Sequence, residues 1–268
     1  MDKIKIKKLK EILQKMSRVL VAYSGGVDST FLLKVAVDTL GRDNVLAVTA
    51  KSETYSLSEL KDAVKNVKKI SARHIIISTQ ELKNPNFYKN PVNRCYYCKK
   101  ELFTRLKKIA QKENIKFVID ASNLDDLKDY RPGAKAKKEL NIRSPLQEAG
   151  FIKRDVRLFS KKIGLSTWDK PAMACLASRL PYGEKIAPEK LKRIEGAEEF
   201  LQKLGFKQAR VRCHGDIARI EVPVNDILAA TKSNFRIKII KKLKSLGFLY
   251  VTLDLQGYRT GSLNEQIK

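Results

Sequence analysis

Four short apolar runs constrain the N-terminal half most strongly: residues 18–23 (RVLVAY), 44–50 (NVLAVTA), 74–79 (HIIIST) and 116–121 (KFVIDA). Each is strand length and bounded by polar residues, and the charged stretches between them have helical period over about residues 29–40, 58–70 and 96–112. Strand and helix alternate, so every crossover returns the chain in the same strand direction. The expectation is an α/β fold with a parallel, doubly wound sheet covered by helices on both faces.

The pattern changes after about Pro188. Residues 208–214 (QARVRCH) and 217–222 (IARIEV) read as an antiparallel hairpin around Gly215 and Asp216, followed by a helix over about 225–246 and a strand over 249–255. Pro181, Gly183 and Pro188 interrupt helix formation, which places a boundary near 181–190. The expected organisation is a domain over 1–183 and a smaller C-terminal α+β domain over 184–268. The helix near the C-terminus carries Arg236, Lys238, Lys241, Lys242 and Lys244 beside Ile237, Ile240 and Leu243, and reads as amphipathic with a basic solvent face.

Lys and Arg number 55 against 29 Asp and Glu, a formal net charge of +26, while 43% of residues are hydrophobic. That apolar content excludes a disordered polycation, and no run of about 18 apolar residues offers a membrane span. The first eight residues are basic but are followed by no apolar stretch or small-residue cleavage site, so they do not read as a secretory signal. A soluble, cytoplasmic protein is expected. The charge leaves open nucleic acid, an anionic small substrate, or a surface merely solvated by lysines. Cys95, Cys98, Cys175 and Cys213 are too few for a disulfide scaffold of this length, and a Cys-x-x-Cys pair in a reducing compartment points to metal or redox chemistry.

The chemistry is concentrated in Ser24-Gly25-Gly26-Val27-Asp28-Ser29, between a predicted strand and a predicted helix. Paired glycines let backbone N–H groups turn toward a ligand, and the helix N-terminus and the hydroxyls of Ser24 and Ser29 complete an anion site suited to phosphate. No Lys follows the glycines, which excludes the loop used to cleave a terminal phosphate bond. Asp28 would repel phosphates unless it caps the helix or carries Mg²⁺. Ligands of such sheets lie beyond the carboxyl ends of the strands, which directs attention to Lys51 after the second strand and to Asn123, Asp125 and Asp126 after the fourth. Asp125 or Asp126 either helps place Mg²⁺ or simply terminates the strand.

The loop resembles the PP-loop of the ATP pyrophosphatase superfamily, whose adenine nucleotide alpha hydrolase-like fold binds ATP and cleaves between the α- and β-phosphates. The resemblance implies adenylation of a substrate with release of pyrophosphate and then AMP, and assigns Ser24, Gly25, Gly26, Asp28, Ser29, Lys51 and Asn123 to ATP and pyrophosphate. Longer segments are similar to the LarE family: residues 129–133 (DYRPG), 143–146 (RSPL), 168–183 (WDKPAMACLASRLPYG), 210–212 (RVR), 218–222 (ARIEV) and 253–262 (LDLQGYRTGS). This likeness runs from about residue 18 to 264. It implies an ATP-dependent sulfurtransferase of nickel-pincer nucleotide biosynthesis. Such an enzyme adenylates a carboxylate of pyridinium-3,5-biscarboxylic acid mononucleotide and converts it to a thiocarboxylate, and the family implies a homo-oligomer, trimer or hexamer.

In one branch of that family the cysteine matching Cys175 gives up its own sulfur. This chain departs from that pattern by adding Cys95 and Cys98, and three thiolates suit a [4Fe–4S] cluster with one iron open to sulfide, resupplied by a sulfide or persulfide donor. A zinc site of Cys95, Cys98, Cys175 and Cys213, sacrifice of Cys175, and plain buried thiols are the alternatives, and Cys213, inside a predicted strand, reads as a small buried hydrophobe. Arg210 and Arg212, two apart in a strand, project from one sheet face and with Ser178 would bind the substrate phosphate; alternatively Arg179, Arg210 and Arg212 are structural arginines ion-paired with Glu221 or Glu195. Arg179 and Cys175 are candidate catalytic residues, and Glu221 either orients the arginines or acts as a base. A tRNA thiolation enzyme and a non-catalytic nucleotide-binding protein are the rival functions. Nucleic acid is not the expected partner, because no RNA-binding module is appended and Trp168 stands alone.

Overall fold

The apolar runs of the N-terminal half form four parallel strands in the computed structural model, which describes residues 2–127, 132–171, 174–259 and 261–267. In chain order the elements begin with α1 (Asp2–Met16), β1 (Val19–Ala22), α2 (Val27–Leu40), β2 (Val45–Lys51), α3 (Leu57–Ile70) and β3 (Arg73–Ser78). A one-turn helix α4 (Pro85–Tyr88) precedes α5 (Arg94–Lys112), β4 (Phe117–Ile119), α6 (Gly133–Glu139), α7 (Pro145–Glu148) and α8 (Lys153–Lys162). The C-terminal portion contains α9 (Pro188–Lys203), β5 (Arg210–His214), β6 (Ile217–Glu221), α10 (Ile227–Thr231), α11 (Ser233–Ser245) and β7 (Tyr250–Leu253).

Two compact units result: residues 1–81 with 93–173, and residues 82–92 with 174–268. In the first, the strand order is β3-β2-β1-β4, every pair parallel. Period-2 alternation sends Val19 and Val21 of β1 into one apolar layer, with Leu9 and Leu13 of α1, Phe31 and Leu32 of α2 and Val156 of α8. Leu20 faces the opposite layer, with Phe103 and Leu106 of α5. Helices on both faces explain why these strands are apolar throughout and not alternately polar. Helix α1 was not among the sequence expectations: its lysines mask Leu9, Leu13 and Met16, spaced to share one face and each buried.

In the second unit β5 and β6 form the expected antiparallel hairpin, with Arg210 opposite Glu221 and Arg212 opposite Arg219, and β7 adds parallel to β6. Residues 82–92 belong here because Asn90 donates from Nδ2 to the Pro181 carbonyl at 2.6 Å, and the Gly183 N–H donates back to the Asn90 carbonyl at 2.9 Å. The helix expected over 225–246 is corrected by the structure: it breaks at Lys232 into α10 and α11. Its apolar face is narrower than expected, because Ile239 and Leu243, one turn apart, are buried while Ile237 and Ile240 are exposed. No helix among the described residues is long and apolar enough to cross a membrane.

Candidate active site

The turn after β1 is shaped by two glycines with different tasks. Gly25 has φ of +68°, and a Cβ there would lie 2.7 Å from Cβ of Ala63 on α3, so both conformation and space exclude a side chain. Gly26 is the N-cap of α2 and caps it with no side chain, which leaves the first-turn N–H groups for a ligand. Ser29 donates from Oγ to the Gly26 carbonyl at 3.2 Å, so the Ser24 hydroxyl, 3.1 Å from Ser29 Oγ, is the donor of that pair. Tyr55 clamps the outer side by donating to the Ser24 carbonyl at 2.7 Å, and burial pushes its phenol pKa well up.

The opposite wall comes from the segment after β4. The chain leaves β1 toward β2 and β3 and returns to β4 on the other side of β1, so the strand order reverses between β1 and β4, where such sheets bind ligands. Asn123, 2% exposed, crosses this gap and donates from Nδ2 to Oδ1 of Asp28 at 3.1 Å. Its own Oδ1 accepts from the Asp125 N–H at 3.0 Å, its N–H donates to Asp126 Oδ2 at 2.9 Å, and Gln147 Nε2 donates to its carbonyl at 2.9 Å. Asp125 Oδ2 accepts the N–H of Lys153 at 2.8 Å, and the Lys153 ammonium pairs with Oδ2 of Asp28. Lys51 ends β2 with an exposed side chain.

The predicted Ser24, Gly25, Gly26, Asp28, Ser29 and Asn123 are therefore gathered at one place. Asp126 spends an oxygen on the Asn123 N–H of its own turn, and Asp125 spends one on the N–H of Lys153 at the start of α8. Sequence reasoning missed Lys153, because nothing local connects a lysine at the start of α8 with an aspartate 125 positions earlier. These residues fit ATP with Mg²⁺: uncapped N–H groups and hydroxyls meet phosphate, and Asp28 already holds a cation.

In the second unit Cys175 is exposed and directly precedes the short 3-10 turn Leu176–Arg179. Arg179 is 1% exposed and forms a bidentate pair with Glu198, Nε to Oε1 at 2.8 Å and NH2 to Oε2 at 2.9 Å. Its remaining nitrogen donates to the carbonyls of Ala174 at 2.8 Å and Cys175 at 3.2 Å and to Ser178 Oγ at 2.8 Å. Arg179 thus positions the Cys175 segment from below. Arg212 repeats the device: it is bidentate to Glu221 at 3.0 and 2.9 Å and donates to the Ser178 carbonyl at 2.7 Å and to Ser262 Oγ at 2.9 Å. Glu221 is fully buried and also accepts from Arg219 at 3.1 Å, so it orients arginines.

The ion partner of Arg179 is Glu198, one helical turn beyond the Glu195 considered from sequence. Arg210 lies over the Tyr258 ring at 5.5 Å, and burial, then Arg179, push its pKa down. A cavity of about 190 Å³ in this unit is lined by Arg179, Arg212, His214, Arg219, Ser262 and Glu265 among others, and its arginines are paired with the buried Glu198 and Glu221.

Cys95 is exposed and Cys98 half-buried on the first turn of α5, three apart and so on one helix face. Sequence reasoning also missed Glu81, whose Oε1 accepts from Cys98 Sγ at 3.7 Å and from Thr79 Oγ1 at 3.0 Å; burial pushes its carboxyl pKa up. Cys213 is fully buried in β5, donates to the Gly215 carbonyl at 3.4 Å, and has its thiol pKa raised by burial. Cys95 and Cys98 belong to the first unit and Cys175 to the second. Among the described residues, no three His, Cys, Asp or Glu side chains gather as a metal-binding group.

The family model described as NAD synthase matches residues 4–116, which include the glycine loop. Pyridinium-3,5-bisthiocarboxylic acid mononucleotide synthase of Lactiplantibacillus plantarum is 41% identical over 95% of this chain and 92% of its own. The chain belongs to the LarE family. Two uncharacterized proteins are also similar to it. Protein slr1717 of Synechocystis sp. is 46% identical over 97% of both chains, and MJ0830 of Methanocaldococcus jannaschii is 35% identical over 96% of this chain and 98% of its own. As a LarE-family member the chain is an enzyme of the sulfurtransferase type, and its parallel sheet with a Gly-Gly loop is a PP-loop fold that takes ATP with Mg²⁺.

Proposed function

We propose that this LarE-family enzyme adenylates a carboxylate of pyridinium-3,5-biscarboxylic acid mononucleotide and replaces one carboxylate oxygen by sulfur. The supporting observation is the glycine loop at the β1/β4 switch point in a chain 41% identical, over 95% of its length, to the bisthiocarboxylic acid mononucleotide synthase. The substrate carboxylate oxygen attacks the α-phosphorus of ATP, the α–β bridging bond breaks, and pyrophosphate leaves with the electron pair. Backbone N–H groups at Gly26 and the hydroxyls of Ser24 and Ser29 hold the departing phosphates, and Asp28 places Mg²⁺. Hydrosulfide then adds to the acyl carbon and AMP departs, giving thiocarboxylate, AMP and one proton.

Arg210, Arg212 and Ser178 bind the substrate phosphate in this reading, and Arg179 holds the Cys175 backbone in place. Cys95, Cys98 and Cys175 would hold a [4Fe–4S] cluster, which would supply a soft sulfur nucleophile. The buried hydrogen bond of Cys213 favours three ligands over a four-thiolate zinc site. A sulfide or persulfide donor resupplies sulfur, and the protein works as a homo-oligomer in the cytoplasm.

Anaerobic purification followed by iron and sulfide analysis of wild type and Cys95→Ala, Cys98→Ala and Cys175→Ala tests the sulfur route. Loss of iron in all three variants is expected. Iron-free protein whose Cys175 loses the mass of one H₂S during turnover would establish sacrificial sulfur donation instead. Pyrophosphate release that does not depend on the biscarboxylate nucleotide would sink the substrate assignment.

A further inference from the structure

Helix α3 meets two different parts of the first unit with one face. Ala63 lies so close to Gly25 that the glycine loop has no room for a methyl group, and Tyr55, just before the helix, donates to the Ser24 carbonyl at 2.7 Å. Glu59, Asp62 and Asn66 share a stripe of α3 with Ala63, at helical spacings of three and four residues. The Lys170 ammonium bridges Glu59 Oε2 at 2.9 Å and Asp62 Oδ2 at 3.1 Å, and Ser166 Oγ donates to Asn66 Oδ1 at 3.3 Å. Arg157 of α8 fixes the backbone of the same segment, donating to the carbonyls of Trp168 at 2.8 Å and of Lys170 at 2.9 Å. Residues 166–170 are thereby strapped onto α3, and Cys175 follows five positions after Lys170.

A glycine loop that closes its N–H groups on phosphate moves against Ala63, and close-packed surfaces pass a displacement on instead of absorbing it. The helix that receives this displacement holds Lys170 by two carboxylates. Resting on the ATP reading above, we infer that Lys170 is a positioning residue that ties the segment leading to Cys175 to the occupancy of the glycine loop, through α3. Lys170 touches no nucleotide in this arrangement. When phosphates fill the loop, α3 settles against it, the Glu59–Lys170–Asp62 bridge tightens, and the segment running into Cys175 becomes more ordered. The sulfur-bearing segment is then set in place only after the nucleotide that activates the carboxylate has bound, so adenylation precedes sulfur transfer.

Trp168 is the chain's single tryptophan, so intrinsic fluorescence reports on the strap directly. ATP with Mg²⁺ is titrated into full-length wild type, Lys170→Met, Lys170→Arg and Glu59→Gln, followed by calorimetry, tryptophan emission and amide hydrogen exchange over residues 165–180. Wild type should change its emission over the same ATP range in which heat reports binding, and its exchange over 165–180 should slow about threefold or more. The methionine variant should bind ATP within about fivefold of wild type, because the lysine touches α3 and not the loop, yet lose both responses. The arginine variant should keep them, and Glu59→Gln, which weakens the same tie from the helix side, should reduce them. A lysine that merely stabilised the fold would shift the urea midpoint and leave both responses intact; intact responses in Lys170→Met would overturn the inference. Wild type that binds ATP with neither response would overturn it as well. Wild type that binds no ATP would sink the nucleotide reading, and the inference with it.

Discussion

At the residue scale, the two adjacent glycines of the loop are not equivalent. Gly25→Ala adds a Cβ 2.7 Å from Ala63 at a positive φ, and should cost about 2–4 kcal/mol from overpacking plus backbone strain. Gly26→Ala adds a Cβ whose nearest neighbour is Ser24 Oγ at 3.5 Å, at φ of −78°, and should stay within about 1 kcal/mol of wild type. Urea midpoints of the two variants separate these outcomes. The Gly-Gly pair was legible in sequence; which glycine is irreplaceable was not, because Ala63 reaches Gly25 only through the packing of α3. Arg179 behaves similarly. Glu198→Gln leaves a buried guanidinium without its carboxylate and should destabilise by about 3–5 kcal/mol. It should also speed alkylation of Cys175, whose carbonyl Arg179 holds, relative to that of Cys95 as an internal reference. Unchanged alkylation would remove Arg179 from a positioning role.

At the element scale, α1 shows how composition hides structure. Its lysine-rich sequence suggests a solvated basic segment, yet Leu9 and Leu13 are fully buried against β1 and α2. Leu13→Ala should cost about 2–5 kcal/mol, read from the urea midpoint, as for other large-to-small core changes. The strands carry the chain's two histidines, His74 on β3 and His214 on β5, and burial holds both below the ordinary imidazole value of 6.5. The unfolded chain then binds protons near pH 6.5 that the folded chain refuses. Stability is full above that pH and falls as pH drops from about 7 through 6.5 toward the native values. Urea midpoints measured between pH 7.5 and 5.5 should decline, and His74→Gln should flatten its share of the slope. A midpoint independent of pH in that window would contradict the assignment.

At the scale of the whole molecule, the chain order and the compact units do not coincide. The second unit takes Leu82–Val92 from between β3 and α5, with Phe87 and Asn90 buried in it. A fragment of residues 184–268 alone lacks these residues and the Arg179 pair, and should unfold without a cooperative transition in circular dichroism. The +26 charge also divides at this scale. Arg179 and Arg212 are committed to buried carboxylates and Lys153 to Asp28, whereas Lys238, Lys241 and Lys244 of α11 belong to an exposed face. By itself the sequence determined the parallel sheet, the hairpin, the phosphate loop and the family likeness, because strand periodicity, glycine pairs and contiguous motifs are local properties of the chain. Only the tertiary structure decided that Arg179 answers to Glu198 and that Asn123 and Lys153 meet on Asp28. Those pairings depend on which distant side chains folding brings into hydrogen-bond contact, 2.8 Å for Arg179 with Glu198 and 3.1 Å for Asn123 with Asp28, and sequence separation carries no record of that distance.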